Sequence, residues 1–150
     1  MGGVLLVLTL LLAVFLGWRY QQQRALADAG EDAEKAGVAA ATNMLTYDYK
    51  TLDEDFAWVQ DDGTKTFQQS FAAAADDARE LAEATKAHSE ARVRGFGVHL
   101  KDADHATVLV AIDSTLTEPD KAAAEDQRWR VELTMVKQDG RWLVDKLELL

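Results

Sequence analysis

The stretch Gln127–Leu149, QRWRVELTMVKQDGRWLVDKLEL, decides the fold. Trp129, Val131, Leu133 and Met135 alternate with Arg128, Arg130, Glu132 and Thr134, the period of two that marks a strand with one covered face. Gln138-Asp139-Gly140-Arg141 interrupts the alternation, and an Asp-Gly pair supplies the positive φ angles that a tight hairpin turn needs. Trp142, Leu143, Val144, Leu147 and Leu149 then resume an extended apolar pattern. The segment reads as an antiparallel hairpin, with strands over about 127–138 and 141–149.

Working back along the chain, two more strands precede the hairpin. Residues 106–116 are apolar at Val108, Leu109, Val110 and Ile112, too uniformly for one solvated face, so a central strand covered on both sides is expected. Over about 89–100, Ala91 and Val93 share one parity while Phe96, Val98 and Leu100 share the other. That switch, at Gly95–Gly97, predicts a bulge in a bent strand. Lys101–His105 forms a turn between these strands, and a polar loop around Pro119 leads into the hairpin.

Ahead of the strands the apolar period changes to three or four residues. Leu26, Ala29, Ala33, Ala36, Ala40, Met44 and Tyr47 predict a long helix over about 20–50, whose Ala face lets a neighbour approach closely; Ala at a coiled-coil seam would bury too little area. Thr51-Leu-Asp-Glu54 has the form of a capping box, opening a short helix over about 52–60 that Asp61-Asp-Gly63 ends. A third helix, over about 64–87, places Phe67, Phe71, Ala74, Ala78, Leu81 and Thr85 on a stripe expected to be buried. Asp76, Asp77, Glu80 and Glu83 fall outside it, and a charge run on a helix surface is more often solvation than a metal site.

The run Gly2–Trp18, GGVLLVLTLLLAVFLGW, carries no charge. With its flanks it approaches the length that spans a bilayer, and Trp18, Arg19 and Tyr20 are residue types that settle at headgroup level. We read residues 1–19 as a retained membrane anchor and 20–150 as one domain. A cleaved signal peptide is the alternative, with Ala25-Leu-Ala27 as a distant small-x-small site, but nothing basic precedes Val4. Arg19 and Arg24 follow the run, so a literal positive-inside count places the domain in the cytoplasm; a start downstream of a basic leader would reverse that count.

The net charge of −10 follows the apolar run entirely. Such a surface repels phosphate backbones, which argues against nucleic-acid partners. With no Cys, disulfides, thiolate zinc sites, Cys nucleophiles and lipoprotein-type lipidation are excluded.

Helices preceding strands of a bent antiparallel sheet make an α+β layout, and this order is similar to the cone-shaped NTF2-like (cystatin-like) fold, here with three helices on about four strands. The apolar run, the Ala-rich helix leading into Leu45-Thr-Tyr-Asp-Tyr-Lys-Thr-Leu-Asp53, and the closing Asp139-Gly-Arg-Trp-Leu-Val-Asp145 resemble the actinobacterial Mce-associated membrane proteins. The resemblance implies a single-pass protein of the cell membrane whose domain lies outside the cytoplasm and supports Mce complexes, which import lipids or sterols. The chain departs from that family in lacking a basic leader. It also resembles VirB8-like secretion or conjugation components in having one N-terminal anchor and the same fold.

Some NTF2-like proteins are steroid isomerases or polyketide cyclases, and such chemistry needs a carboxylate or His base in a dry pocket opposite a group that stabilises an enolate. The candidates are Asp48 with Tyr47 and Tyr49, or His99; the Tyr-Asp-Tyr cluster equally suits a helix end, where Asp caps and Tyr packs by its ring. His88, His99 and His105 do not share a spacing that would make a metal set. Gly95-Phe-Gly97 lacks the third glycine of a dinucleotide loop. Phe56, Trp58, Phe67, Phe71, Trp129 and Trp142 are candidates to line a lipid-binding cone, although core packing accounts for them and is favoured. The expectation is a non-catalytic, cofactor-free membrane accessory acting by protein contacts with an Mce-type lipid import complex. A VirB8-like secretion component and a membrane-tethered isomerase or cyclase are the alternatives.

Overall fold

Ala and Gly on one face of a long helix set how the layers meet. In a computed structural model of the protein the backbone is described from Gly2 and the side chains from Val14, apart from Gln22 and Gln23. The elements run α1 (Gly2–Leu45), β1 (Tyr47–Asp48), α2 (Leu52–Asp55), α3 (Trp58–Asp62), α4 (Lys65–Thr85), β2 (His88–Leu100), β3 (His105–Thr117), β4 (Glu125–Gln138) and β5 (Arg141–Leu149). The sheet has five strands in sequence order, β1-β2-β3-β4-β5, each pair antiparallel.

The extra strand corrects the expected four. The long helix stops at Leu45 rather than near 50, because the chain finds other partners there: Ser89 Oγ donates to the Leu45 carbonyl at 2.7 Å and the Tyr49 amide to the Ala87 carbonyl at 3.0 Å. Tyr47 and Asp48 then pair with Ser89 and His88. The expected helix at 52–60 is two short pieces, α2 and α3. Its capping box is not formed: the Thr51 hydroxyl donates to Asp55 Oδ2 at 2.9 Å instead of accepting a helix amide. That same oxygen accepts the Asp48 amide at 2.8 Å, so Asp55 outcompetes the cap.

The sheet's inner face is set by register. Val131, Leu133 and Met135 are fully buried, opposite Val110, Val108 and Ala106. β3 occupies the middle of the sheet but is covered on one face only, contrary to the two-sided burial expected: Val108, Val110 and Ile112 are buried while Leu109, between them, is 45% exposed. The bulge in β2 falls at Arg94, between Val93 and Gly95, one residue before the glycines. A second bulge, unsignalled by the sequence, sits in β5 at Asp145, between the partners of Thr134 and Met135. It turns the Asp145 carboxylate to Thr64, whose hydroxyl donates to it at 2.9 Å and accepts the Phe67 amide. The Thr64 amide donates to the Val144 carbonyl at 2.8 Å, so the start of α4 is fixed to β5 at both faces of one residue.

α1 lies across the inner face. Ala29, Ala33, Ala40, Ala41 and Leu45 are buried there, and a Cβ built on Gly37 would lie 2.8 Å from the Val108 Cβ. Among the described residues no helix is long and apolar enough to cross a membrane; most of the expected anchor lies outside the described side chains. From Val14 to Asp28 every described side chain is exposed, including Phe15, Trp18 and Tyr20.

The contact at Gly37 and the open space at Gly30 give opposite expectations. Gly37→Ala must push Val108, a backbone-attached Cβ that cannot swing aside, and is expected to destabilise by about 1–3 kcal/mol despite the better helix former. Gly30→Ala, with nothing within 4 Å, should stabilise by about 0.5–1 kcal/mol. Chemical denaturation of both variants checks the pair.

Candidate functional site

α4 is anchored at its start and close to the core at Phe67, but its later turns do not close onto the sheet. Of the stripe expected to be buried, Phe67 is covered and Phe71 partly so, whereas Ala74 and Ala78 are exposed and Leu81 is 66% exposed. The buried positions are instead Ala75 and Ala82, and Ala82 packs with Leu52 of α2. The period was legible but the side chains are too small to bridge the gap. What remains is an apolar groove of about 300 Å³, at the small end of the range of ligand pockets.

Met44 and Leu45 at the end of α1, Tyr47 of β1, and Leu116 at the end of β3 form one wall. Phe71, Ala74, Ala78 and Leu81 of α4 form the other, and Leu52 and Phe56 close the inner end. The aromatic rings make a continuous path inward: Tyr47 to Phe56 at 6.3 Å, Phe56 edge-on to Phe71 at 5.4 Å, and Phe71 to Trp58 at 6.3 Å. Such tilted pairs stiffen the groove floor. Glu118 lines the groove, and Lys121 pairs with it and holds its carboxyl below the usual range.

Among the expected site residues, Tyr47, Phe56 and Phe71 line this groove. Trp58 and Phe67 pack in the core between α3, α4 and the sheet, 5.9 Å apart ring to ring. Trp142 is buried on β5 and Trp129 is half-buried, its indole donating to Ser114 Oγ at 2.9 Å. None of these four lines an open cone, because α1 fills the inner face of the sheet. Asp48 borders the site without facing it: its Oδ1 accepts the Lys50 amide at 2.9 Å and its Oδ2 lies 3.3 Å from His88 Nδ1. His99 and His105 stand apart, on β2 and beside Asp102 respectively, and among the described residues no group of three or more His, Cys, Asp or Glu could hold a metal ion.

These features sit on a fold and sequence shared with other proteins. The family described as "Uncharacterized protein Rv1363c/MT1408-like" matches residues 3–150. The chain belongs to this family. Rv1363c of Mycobacterium tuberculosis is 31% identical over 93% of the chain, and Rv1362c of the same species 30% identical over 95%. The chain spans 53% of the length of the first and 68% of the second. As a fold, this Rv1363c-like chain is similar to an IcmL-like type IV secretion system protein from Legionella pneumophila, with a TM-score of 0.66 at 15% identity over 83% of this chain and 91% of that one. The periplasmic domain of DotI gives 0.66 at 12% identity over 78% and 91%. CagV of Helicobacter pylori, a VirB8 homolog, gives 0.61 at 12% identity over 77% and 97%. The α+β fold, a bent antiparallel sheet with helices on one face, is thus NTF2-like of the VirB8 kind.

Burial, and next the negative charge of Glu118, push the Tyr47 phenol above the usual tyrosine range. A proton held more tightly in the folded state than in the unfolded one means stability is full below the ordinary tyrosine pKa and is lost as pH rises through the raised value. A phenolate absorbance titration should show a component displaced to higher pH, and Tyr47→Phe should remove it together with part of the alkaline loss of stability.

Proposed function

We propose that this protein is a non-catalytic accessory of a membrane-spanning secretion-type complex, held at the membrane by its N-terminal helix and acting through protein contacts. The observation that carries the reading is the likeness of its fold to the domains of IcmL-like, DotI and CagV proteins, whose own names place them in type IV secretion systems or a periplasm. The exposed Phe15, Leu16, Trp18 and Tyr20 on α1, with no core to cover them, support attachment to a membrane or to neighbouring helices. Support against catalysis comes from Asp48: a general base must reach substrate in a dry site, and this carboxylate is engaged by Lys50 and His88 beside the groove, not within it.

The Mce-type lipid import role is the second reading. It rests on the sequence resemblance of Leu45–Asp53 and Asp139–Asp145, and the fold likenesses favour the secretion-type complex over it.

Affinity purification of the full chain from native membranes separates these readings. Recovery of membrane subunits of a secretion-type complex is the expected result, recovery of Mce subunits would favour the second reading, and a chain purifying alone would overturn both.

The domain is proposed to lie outside the cytoplasm. Protease added to intact cells should therefore cut it; full protection until lysis would reverse its sidedness.

A further inference from the structure

The sheet has two edges, and the fold treats them differently. β5 is guarded: the Thr64 amide donates to its Val144 carbonyl, Gly63 bridges the same residue, and the bulge at Asp145 is followed by Lys146. Covering loops, bulges and lysines are the usual means by which a sheet edge is kept from pairing with other chains. At the opposite edge β1 covers only His88 and Ser89 of β2, and β2 continues on that side to Leu100 without a neighbouring strand.

Two hydrogen bonds fix which backbone groups of β2 face outward. The Tyr49 amide donates to the Ala87 carbonyl on the β1 side, and the Lys101 amide donates to the His105 carbonyl on the β3 side. Backbone groups of an antiparallel strand alternate in direction, and the register shifts at the bulge between Val93 and Gly95. Counted from both ends, Ala91 and Val93, then Phe96, Val98 and Leu100, turn their N–H and C=O groups to the free side. Among the described residues none of these groups has a backbone partner.

The side chains along this edge do not protect it. From Ala91 to Leu100 there is no Lys, Pro, Asp or Glu. Val93 and Leu100 pack on the core, but Phe96 is 55% and Val98 36% exposed. On the outer face Gly95 and Gly97 have open space where a Cβ would stand, and with Leu109, Ala111 and Arg130 they form a shallow depression directly beside the edge. Arg92 shares that face and has no ion-pair partner among the described residues, because Asp113 across from it is taken by Arg94.

Unpaired main-chain groups along a strand edge are answered by another extended main chain. A depression over glycines takes one bulky side chain from such a segment, and a free guanidinium on the same face selects a carboxylate. We propose that β2 adds an extended segment of a partner protein as a further strand, anchored by an aromatic or large aliphatic side chain over Gly95 and Gly97 and by an Asp or Glu at Arg92. The proposal rests on the reading of the protein as a contact-making accessory and names the surface that makes the contact.

A second copy does not fit this edge. A closed pair of copies adds β2 to β2 antiparallel. α1 runs in the direction of β3, since Gly37 packs at Val108 and the Leu45 carbonyl is held by Ser89, opposite Leu116. Antiparallel addition therefore sends the outer arms of the two α1 helices out of opposite ends, where they cannot enter one membrane.

Photo-crosslinking in cells, with full-length chain in native membranes, tests this. p-Benzoylphenylalanine in place of Phe96 should give an adduct with a partner protein whose mapped peptide carries a bulky apolar residue and an acidic one, while the same group in place of Gln69, exposed on α4, should not. With the crosslinker at Phe96, Val98→Pro deletes an outward N–H and no ladder bond, and should lower adduct yield about tenfold; Val98→Thr, which keeps that N–H, should retain it. Gly97→Val fills the depression at a site with nothing within 4 Å, suits a strand, and should lower the yield severalfold. Arg92→Glu should do the same and Arg92→Lys much less. Unchanged melting temperatures separate these losses from misfolding, and Gly97→Val carries the test if Val98→Pro melts early. A yield indifferent to Gly97→Val and to a folded Val98→Pro, a mapped peptide without an acidic residue, an adduct of lipid mass, or an adduct to a second copy would each overturn the inference. If any of those occurs while the chain still co-purifies with a membrane complex, the accessory reading stands and only the edge assignment fails.

Discussion

The close approach of α1 to the sheet is the constraint on which the other contacts depend. Ala33 and Ala41 reach zero exposure, and at Gly37 no side chain intervenes before Val108. Small side chains bury little area each, so this interface gains its stability from the length of the contact and from the large residues it covers, Val108, Val110, Val131, Leu133 and Met135. By filling the inner face, α1 leaves no cone for the aromatic residues to line. They are drawn into a wedge between α3, α4 and β5 instead, where Trp58, Phe67 and Phe71 meet.

The groove follows from where that cover stops. Past Leu45 the helix no longer shields the end of β3, and Leu116 and Ala87 need another partner. α4 is the long element that supplies one, through Ala82, but it is fixed at its start by Thr64 and turns only the small Ala75 and Ala82 inward. An Ala-rich helix held at one end cannot fill the space at the other. A local deficit of side-chain volume, rather than any special chemistry, creates the groove.

Much of this was legible in the chain. The alternation from Trp129 to Met135 correctly assigns the inner face of β4, because a period of two has one physical meaning when one face is covered. The Ala stripe of α1 likewise predicts close packing. What the pattern could not convey is depth: Phe71, Ala74, Ala78 and Leu81 have the right spacing for burial, yet burial depends on whether the opposite surface comes near. The same gap explains β3, where a run of apolar residues predicts two covered faces and Leu109 meets solvent. The lost cap at Thr51 turned on a carboxylate four residues away that offered a better partner, and the short β1 on a serine more than forty residues along the chain. Non-local competition of this kind leaves no local signal. Of the candidate site residues Tyr47, Phe56 and Phe71 reach the groove while Trp58, Phe67, Trp129 and Trp142 do not, since aromatic character marks a preference for burial without saying against what.

The continuity of α1 has a mechanical meaning. Its exposed part, from Val14 to Asp28, and its packed part, from Ala29 to Leu45, are one helix, and Gly30 lies within it without breaking it. A lever of this kind has no joint at which to dissipate a bend. A lateral force on its outer arm is therefore delivered as torque to the Ala face and to the strands beneath, so the register of the domain against any complex that grips the outer arm is set by the stiffness of the helix rather than by a tether.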